Sequence, residues 1–115
     1  TRVGDIRPLG IGVAGMALLS TCADDEVDRI RSQHASAFEG AGLGPTPLAK
    51  AIARTRRLGY SELVDTVTEG VAGVGAVIPG GATPFAAISI AAIKPRMGPA
   101  RRAELGKLLL EHLAA

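Results

Sequence analysis

The residues Gly10-Ile11-Gly12-Val13-Ala14-Gly15 run directly into Met16-Ala17-Leu18-Leu19. Written as G-x-G-x-x-G ahead of a helix start, this is the form of a dinucleotide-binding loop, and the reading given to it decides the fold. Such a loop works only when a buried strand precedes its first glycine, so that the turn aims a helix N-terminus at a pyrophosphate. The residues in front are Arg2-Val3-Gly4-Asp5-Ile6-Arg7-Pro8-Leu9. Pro8 cannot donate to a sheet ladder, and Asp5 and Arg7 do not suit a strand buried on both faces. Asp24, Asp25 and Asp28 fall where a ribose-binding acid would be sought, but they belong to a charged helical pattern rather than a strand end. Two other readings stand beside the nucleotide one: a small-residue turn packed tightly against a neighbour, and a loop lining a small-molecule pocket.

Working outward, 115 residues suffice for one domain and not for two. The 47% hydrophobic and 21% charged fractions are those of an ordinary globular chain. A net charge of +2 gives no argument for nucleic-acid binding by these residues. The only aromatics are Phe38, Tyr60 and Phe85, too few for a surface that stacks single-stranded bases. Cys22 is the sole cysteine, so no disulfide forms within the chain, which fits a reducing, cytoplasmic setting. No apolar run approaches the roughly 18 residues of a membrane span, so no membrane partner is expected. Thr1-Arg2-Val3-Gly4-Asp5 lacks both an initiator Met and the pattern of a signal peptide, as expected of a processed chain or a piece of a longer one.

In chain order, residues 1–9 read as a strand end stopped by Pro8. Val13 to Thr21 is small and apolar, a short buried helix. Asp24-Asp25-Glu26 puts acids in the first turn of a second helix, where the dipole favours them, and Val27, Ile30 and His34 share one of its faces. Residues 39–45 read as a loop. Thr46-Pro47 reads as N-cap and first helical position of a third helix, with Leu48, Ala51, Ile52, Thr55 and Leu58 at helical spacing and Gly59 as its left-handed cap. Residues 60–69 read as a short strand or extended link. Val71 to Ile78 and Phe85 to Ile93 read as two strands of an antiparallel hairpin around the turn 79–84, with both faces covered. Pro99 opens a last helix whose stripe is Leu105, Leu108, Leu109, His112 and Leu113. The pattern is α+β: helices against an antiparallel sheet so thin that it wants further strands.

No set of catalytic residues assembles. Cys22, His34 and His112 are scattered, with no metal-ligand spacing. Cys22 reads as a small buried residue, since Asp24 and Asp25 oppose thiolate formation. Glu62, Asp65 and Glu69 read as a wet link able to lend one polar group to a pocket, and the arginines at helix ends as solvated. Gly40-Ala41-Gly42-Leu43-Gly44-Pro45 lacks the Gly-Lys-Ser/Thr of a phosphate loop. Ser89, amid Ala86-Ala87-Ile88-Ser89-Ile90-Ala91, is the one polar side chain in mid-hairpin, and if buried it needs a backbone or ligand partner.

The order of these motifs resembles a known family. Val3-Gly4-Asp5-Ile6-Arg7-Pro8-Leu9 through Gly15-Met16-Ala17-Leu18-Leu19-Ser20 is similar to the V-G-x-x-x-P-L … G-K-A-L-L-A loop and helix of IclR-type transcriptional regulators. Arg56-Arg57-Leu58-Gly59-Tyr60 resembles that family's R-x-x-G-Y. Glu69-Gly70-Val71-Ala72-Gly73-Val74-Gly75-Ala76-Val77-Ile78 is similar to its G-V-x-C-V-A-A-P-V strand, and Ala86-Ala87-Ile88-Ser89-Ile90 to its A-A-I-S-I strand. Arg102-Ala103-Glu104-Leu105-Gly106 falls in its last helix. The resemblance covers essentially the whole chain.

It implies a partial GAF/profilin-like effector-binding domain, 1–115, that is no enzyme and needs no cofactor or metal. A winged helix-turn-helix domain, a linking helix and the first sheet strands would precede it, and DNA would be bound only through that N-terminal domain. A homodimer or tetramer is implied. So is a small-molecule cavity for organic or aromatic acids, lined by Gly12, Val13, Ala14, Leu63, Val64, Gly73, Ser89 and Ala91. The family's ligand-contacting pair falls on Val13 and Ala14, its frequent Cys on Gly73, its two Ser positions on Ser89 and Ala91. Its acidic position falls on Leu63 or Val64, with Asp65 near by, and its basic residue on Met16. Only Ser89 keeps a polar side chain, so a more apolar or bulkier effector is expected, anchored by backbone N–H groups near Val13–Gly15 and by Ser89. Two other readings compete with this sensor domain: a small enzyme on a GAF-like or nucleotide-binding fold, and a dimerisation module without ligand.

Overall fold

The computed structural model describes residues 10–66, 69–79 and 86–114. The expectations for 1–9, including Pro8, and for most of the turn 79–84 lie outside the described residues. Along the chain run α1 (Val13–Leu19), α2 (Asp24–Gln33), α3 (Ala35–Gly40), α4 (Pro45–Leu58), β1 (Ser61–Val64), β2 (Val71–Val77), β3 (Ala87–Ile93), a 3₁₀ turn (Lys94–Arg96) and α5 (Pro99–Ala114). No described helix is long and apolar enough to cross a membrane.

The three strands form one antiparallel sheet in the order β1-β2-β3. Ser61, Leu63 and Val64 of β1 pair with Gly75, Gly73 and Ala72. Gly73 and Gly75 pair on their other side with Ala91 and Ser89. The strand period of two therefore puts Ser61, Leu63, Gly73, Gly75, Ser89 and Ala91 on one face, and Glu62, Val64, Ala72, Val74 and Ala76 on the other.

Each face has its own apolar cluster. On the first, Met16 and Leu19 of α1 gather with Val27, Phe38, Leu43, Leu48, Ile52 and Leu63. On the second, Tyr60, Val74, Ala76 and Leu109 are flanked by Leu58, Leu105, Leu110 and Leu113. The stripe of α5 is therefore rotated from the expected one: Leu108 is 40% exposed and His112 is exposed, while Leu110 joins the core edge. Gly106 sets that rotation, because it seats α5 against the Tyr60 ring; a Cβ there would lie 2.5 Å from ring carbons.

Several details depart from the sequence reading. The helix α4 starts at Pro45 with Gly44 as N-cap, not at Pro47 with Thr46 as N-cap. Both prolines then fall in the first turn, where a missing N–H costs nothing because those groups lack helical acceptors. Gly59 does close it in the left-handed conformation (φ 87°). Residues 35–40, read partly as loop, form α3, whose Phe38 is fully buried. His34 sits exposed in the turn between α2 and α3 instead of on the apolar face of α2. The sheet is not covered throughout: β2 is buried along its centre, but Ser89, Ala91, Ile88, Ile90 and Ile93 of β3 are exposed. The helices sit over β2, and β3 is the uncovered edge.

Candidate functional site

The opening loop delivers α1 onto the first sheet face. Gly10 is buried, and a Cβ there would meet Leu19 Cδ2 at 2.5 Å and Phe38 Cε1 at 3.0 Å. Gly12 caps α1 at φ 113°, a conformation that glycine adopts without strain, and contributes no side-chain cap to the helix. The first N–H groups of α1 are thus left without a side-chain acceptor from the cap. The turn is tight because Gly15 lies over Gly10: a Cβ on Gly15 would approach the Gly10 nitrogen to 3.0 Å.

Val13, the first residue of α1, rests on β2. A Cβ at Gly73 would lie 3.1 Å from Val13 Cγ2, and one at Gly75 would lie 3.0 Å from both Val13 Cγ1 and the Val13 carbonyl oxygen. The two glycines serve close approach of a helix to a strand. Opposite Gly75, the fully buried Ser61 donates its hydroxyl to the Val13 carbonyl at 2.5 Å. Residues 60–69, expected as a short strand or extended link, hold β1, but a single Ser in a short strand carries no motif; only the pairing with Gly75 reveals Ser61.

Of the residues singled out from the sequence, Gly12, Val13, Ala14, Leu63, Gly73, Ser89 and Ala91 come together on the α1 side of the sheet. Val64 lies on the α5 side, paired with Ala72. Gly12, Val13 and Ala14 are half-buried, Leu63 and Gly73 buried, Ser89 and Ala91 exposed. Ser89 is therefore not the buried hydroxyl in need of a partner. Beside the helix-covered β2, the β3 part of the face is an open shelf of Ser89, Ala91 and Ile93.

The acidic candidates are engaged elsewhere. Asp65 is exposed and closes the β1–β2 turn: it accepts the Gly70 N–H at 2.6 Å and pairs with Lys94 Nζ at 2.7 Å. The Lys94 ammonium first, then the Gly70 N–H, hold its carboxyl below the usual carboxylate range. Glu62 lies on the α5 side of the sheet, and its two oxygens meet Arg54 of α4 (3.0 Å) and Arg102 of α5 (2.8 Å). Arg102, read as solvated, is half-buried and also donates to the Met97 carbonyl at 2.7 Å. Arg56 gathers the end of α1, donating to the Ser20 and Cys22 carbonyls and to Asp24. It borders two open clefts away from the shelf: one of ≈ 280 Å³ with Ala17, Thr55 and Val77, and one of ≈ 350 Å³ with Val27, Asp28 and Ile52. Cys22 is half-buried, and burial, then the Glu26 charge, push its thiol pKa up. Among the described residues no group of His, Cys, Asp and Glu could hold a metal ion.

The fold recurs in solved structures of known proteins. No curated protein sequence matches the chain. The repressor BlcR of Agobacterium tumefaciens superposes over 99% of this chain and 48% of its own, with 26% identity and a TM-score of 0.83. The effector domain of a protein assigned as the transcriptional regulator IclR of Acinetobacter sp. ADP1 gives 99% and 69%, 19% identity and 0.78. An IclR-family regulator of Brucella abortus gives 99% and 44%, 16% identity and 0.74. The chain thus spans about half the length of BlcR, and these neighbours are transcriptional regulators, not enzymes. The model of the bacterial transcriptional regulator IclR C-terminal family matches residues 1–114, and with an α+β fold shared by these regulators the chain belongs to that family.

Proposed function

We propose that these residues form the effector-sensing part of an IclR-type regulator, in which a small molecule on the α1 side of the sheet alters DNA binding by a helix-turn-helix domain elsewhere in the protein. The effector lies against Gly12, Val13 and Ala14 and the exposed Ser89 and Ala91, with the buried Leu63 and Gly73 behind them. Val64, on the opposite face, contributes only indirectly through the strand. The observation that carries the reading is the convergence of these residues from four elements (α1 with its cap, β1, β2 and β3) on one half-open face of a family member. The face offers hydrocarbon, one hydroxyl and backbone N–H groups, so the effector class is an organic or aromatic acid or a more apolar relative. Coupling to DNA is reciprocal: an effector that weakens operator binding is itself bound less tightly by the DNA complex. The protein acts as a homodimer or tetramer, whose paired DNA-binding domains the effector rearranges.

The test is a thermal-shift screen of the full-length protein against organic and aromatic acids, followed by calorimetry on each hit. Binding of an aromatic acid that weakens about tenfold in Ser89→Ala, the loss of one hydrogen bond to a charged group, is expected. Tight binding of pyruvate or glyoxylate that ignores Ser89→Ala would overturn the apolar-effector reading.

A further inference from the structure

We infer that Ser61 is the positioning residue of the effector loop, its hydroxyl fixing the height and rotation of the α1 N-terminus over the sheet. The inference rests on the reading of Gly12–Ala14 as that loop. Ser61 has no exposed surface, and its Oγ lies 2.5 Å from the Val13 carbonyl oxygen and 3.2 Å from that of Gly75. A hydroxyl has one hydrogen, so it serves one acceptor, and the nearer is Val13. The bond joins residues 48 apart in sequence, from a strand to the first turn of a helix. Among the described residues no other side chain of the sheet donates to α1.

The surroundings hold the hydroxyl in place. Gly75 lies opposite it in the strand pair, and a Cβ there would come within 3.1 Å of Ser61 Oγ. The adjacent Tyr60 is buried in the other cluster, against Gly106 of α5. Ser61 is thus fixed on a rigid strand by its own alternation, the support a binding loop needs to keep its geometry. Val13 makes only van der Waals contact with Gly73 and Gly75, which sets separation but lets the helix slide. The directional bond from Ser61 removes that freedom.

The test compares Ser61→Ala with Ser61→Thr, which keeps the hydroxyl, in the full-length protein. Ser61→Cys, close in volume but a weak donor, replaces Ser61→Ala should that variant not fold. Hydrogen exchange of the α1 amides is expected to quicken about tenfold relative to those of α5 in Ser61→Ala, the measure of one lost buried hydrogen bond, and to return in Ser61→Thr. Benzoate and pyruvate, titrated calorimetrically as probes, should lose affinity with the same pattern. Equal acceleration in α1, β2 and α5, or an unchanged α1, would overturn the inference, because a merely structural contact lowers stability everywhere. If neither probe binds the wild-type protein, the effector reading suffers, and the exchange pattern still decides whether Ser61 holds α1.

Discussion

Asp65 is the one described residue other than glycine with a positive φ, 58°, and its carboxylate explains why the turn tolerates it. Asp is among the few residues that reach this region by hydrogen-bonding locally, and here it takes both the Gly70 N–H and the Lys94 ammonium. Its folded pKa lies below the unfolded value, held there first by the Lys94 ammonium and then by the Gly70 N–H. The linkage sign follows: the group contributes stability above the ordinary carboxylate range and loses it as pH falls through the depressed folded value. Asp65→Asn should therefore flatten the acid limb of stability, read as urea midpoints measured from neutral pH downward; an unchanged limb would show that the clip contributes nothing. The same reasoning applies to Cys22. Burial and Glu26 raise its thiol pKa against the opposing Arg56 and Arg29, so less thiolate is present at neutral pH. Alkylation by iodoacetamide is expected to be slower than that of free cysteine, and faster in Glu26→Gln than in wild type.

Among the elements, α4 and α5 make opposite predictions about two small substitutions. Thr46 looks like a cap from its neighbours, yet Gly44 occupies that position and Thr46 is exposed. Thr46→Ala should stay within about 0.5 kcal/mol of wild type, whereas loss of a true cap costs about 1 kcal/mol. Gly106 looks like a helix-weakening residue that alanine would improve. The Tyr60 ring stands where its methyl would go, at 2.5–2.6 Å, and Tyr60 is buried against Leu109. Gly106→Ala should therefore destabilise by about 1–3 kcal/mol through overpacking, despite the gain in helix propensity. Chemical denaturation of both variants checks the pair, and a stabilised Gly106→Ala would mean that α5 sits further from β1 than described.

At the scale of the whole molecule, the sheet is asymmetric. One edge, β1, is flanked by α4 and tied by Glu62 to Arg54 and Arg102. The other, β3, is uncharged from Ala87 to Ile93 and exposes Ile88 (43%), Ile90 (38%) and Ile93 (55%). Native edges carry charges or bulges to prevent chance pairing, and this one carries neither charge nor proline. Residues 1–115 expressed alone are therefore expected to self-associate with rising concentration, and Ile90→Lys to suppress it, as read by light scattering on a sizing column.

The local pattern of the sequence by itself determined most of the elements, though not α3: helical spacing from Leu48 to Leu58 closed by Gly59, the alternation along Val71 to Val77, and the Pro99 start all follow from rules that act within a few residues. The family, too, was legible in the order of five short motifs. What the nucleotide-like glycines do was not legible, because G-x-G-x-x-G records only where small residues are needed and not what approaches them. The tertiary structure decided that Leu19 and Phe38 close on Gly10, and Val13 on Gly73 and Gly75. It also revealed a buried hydroxyl beneath α1 that the sequence did not single out. Ser89 stood out because its sequence neighbours are apolar, but its strand is the uncovered edge, whereas Ser61 is buried because strand pairing sets it opposite Gly75 beneath α1. Periodicity tells which residues share a face; which face is covered, and by what, depends on contacts between residues tens of positions apart, and these no local spacing encodes.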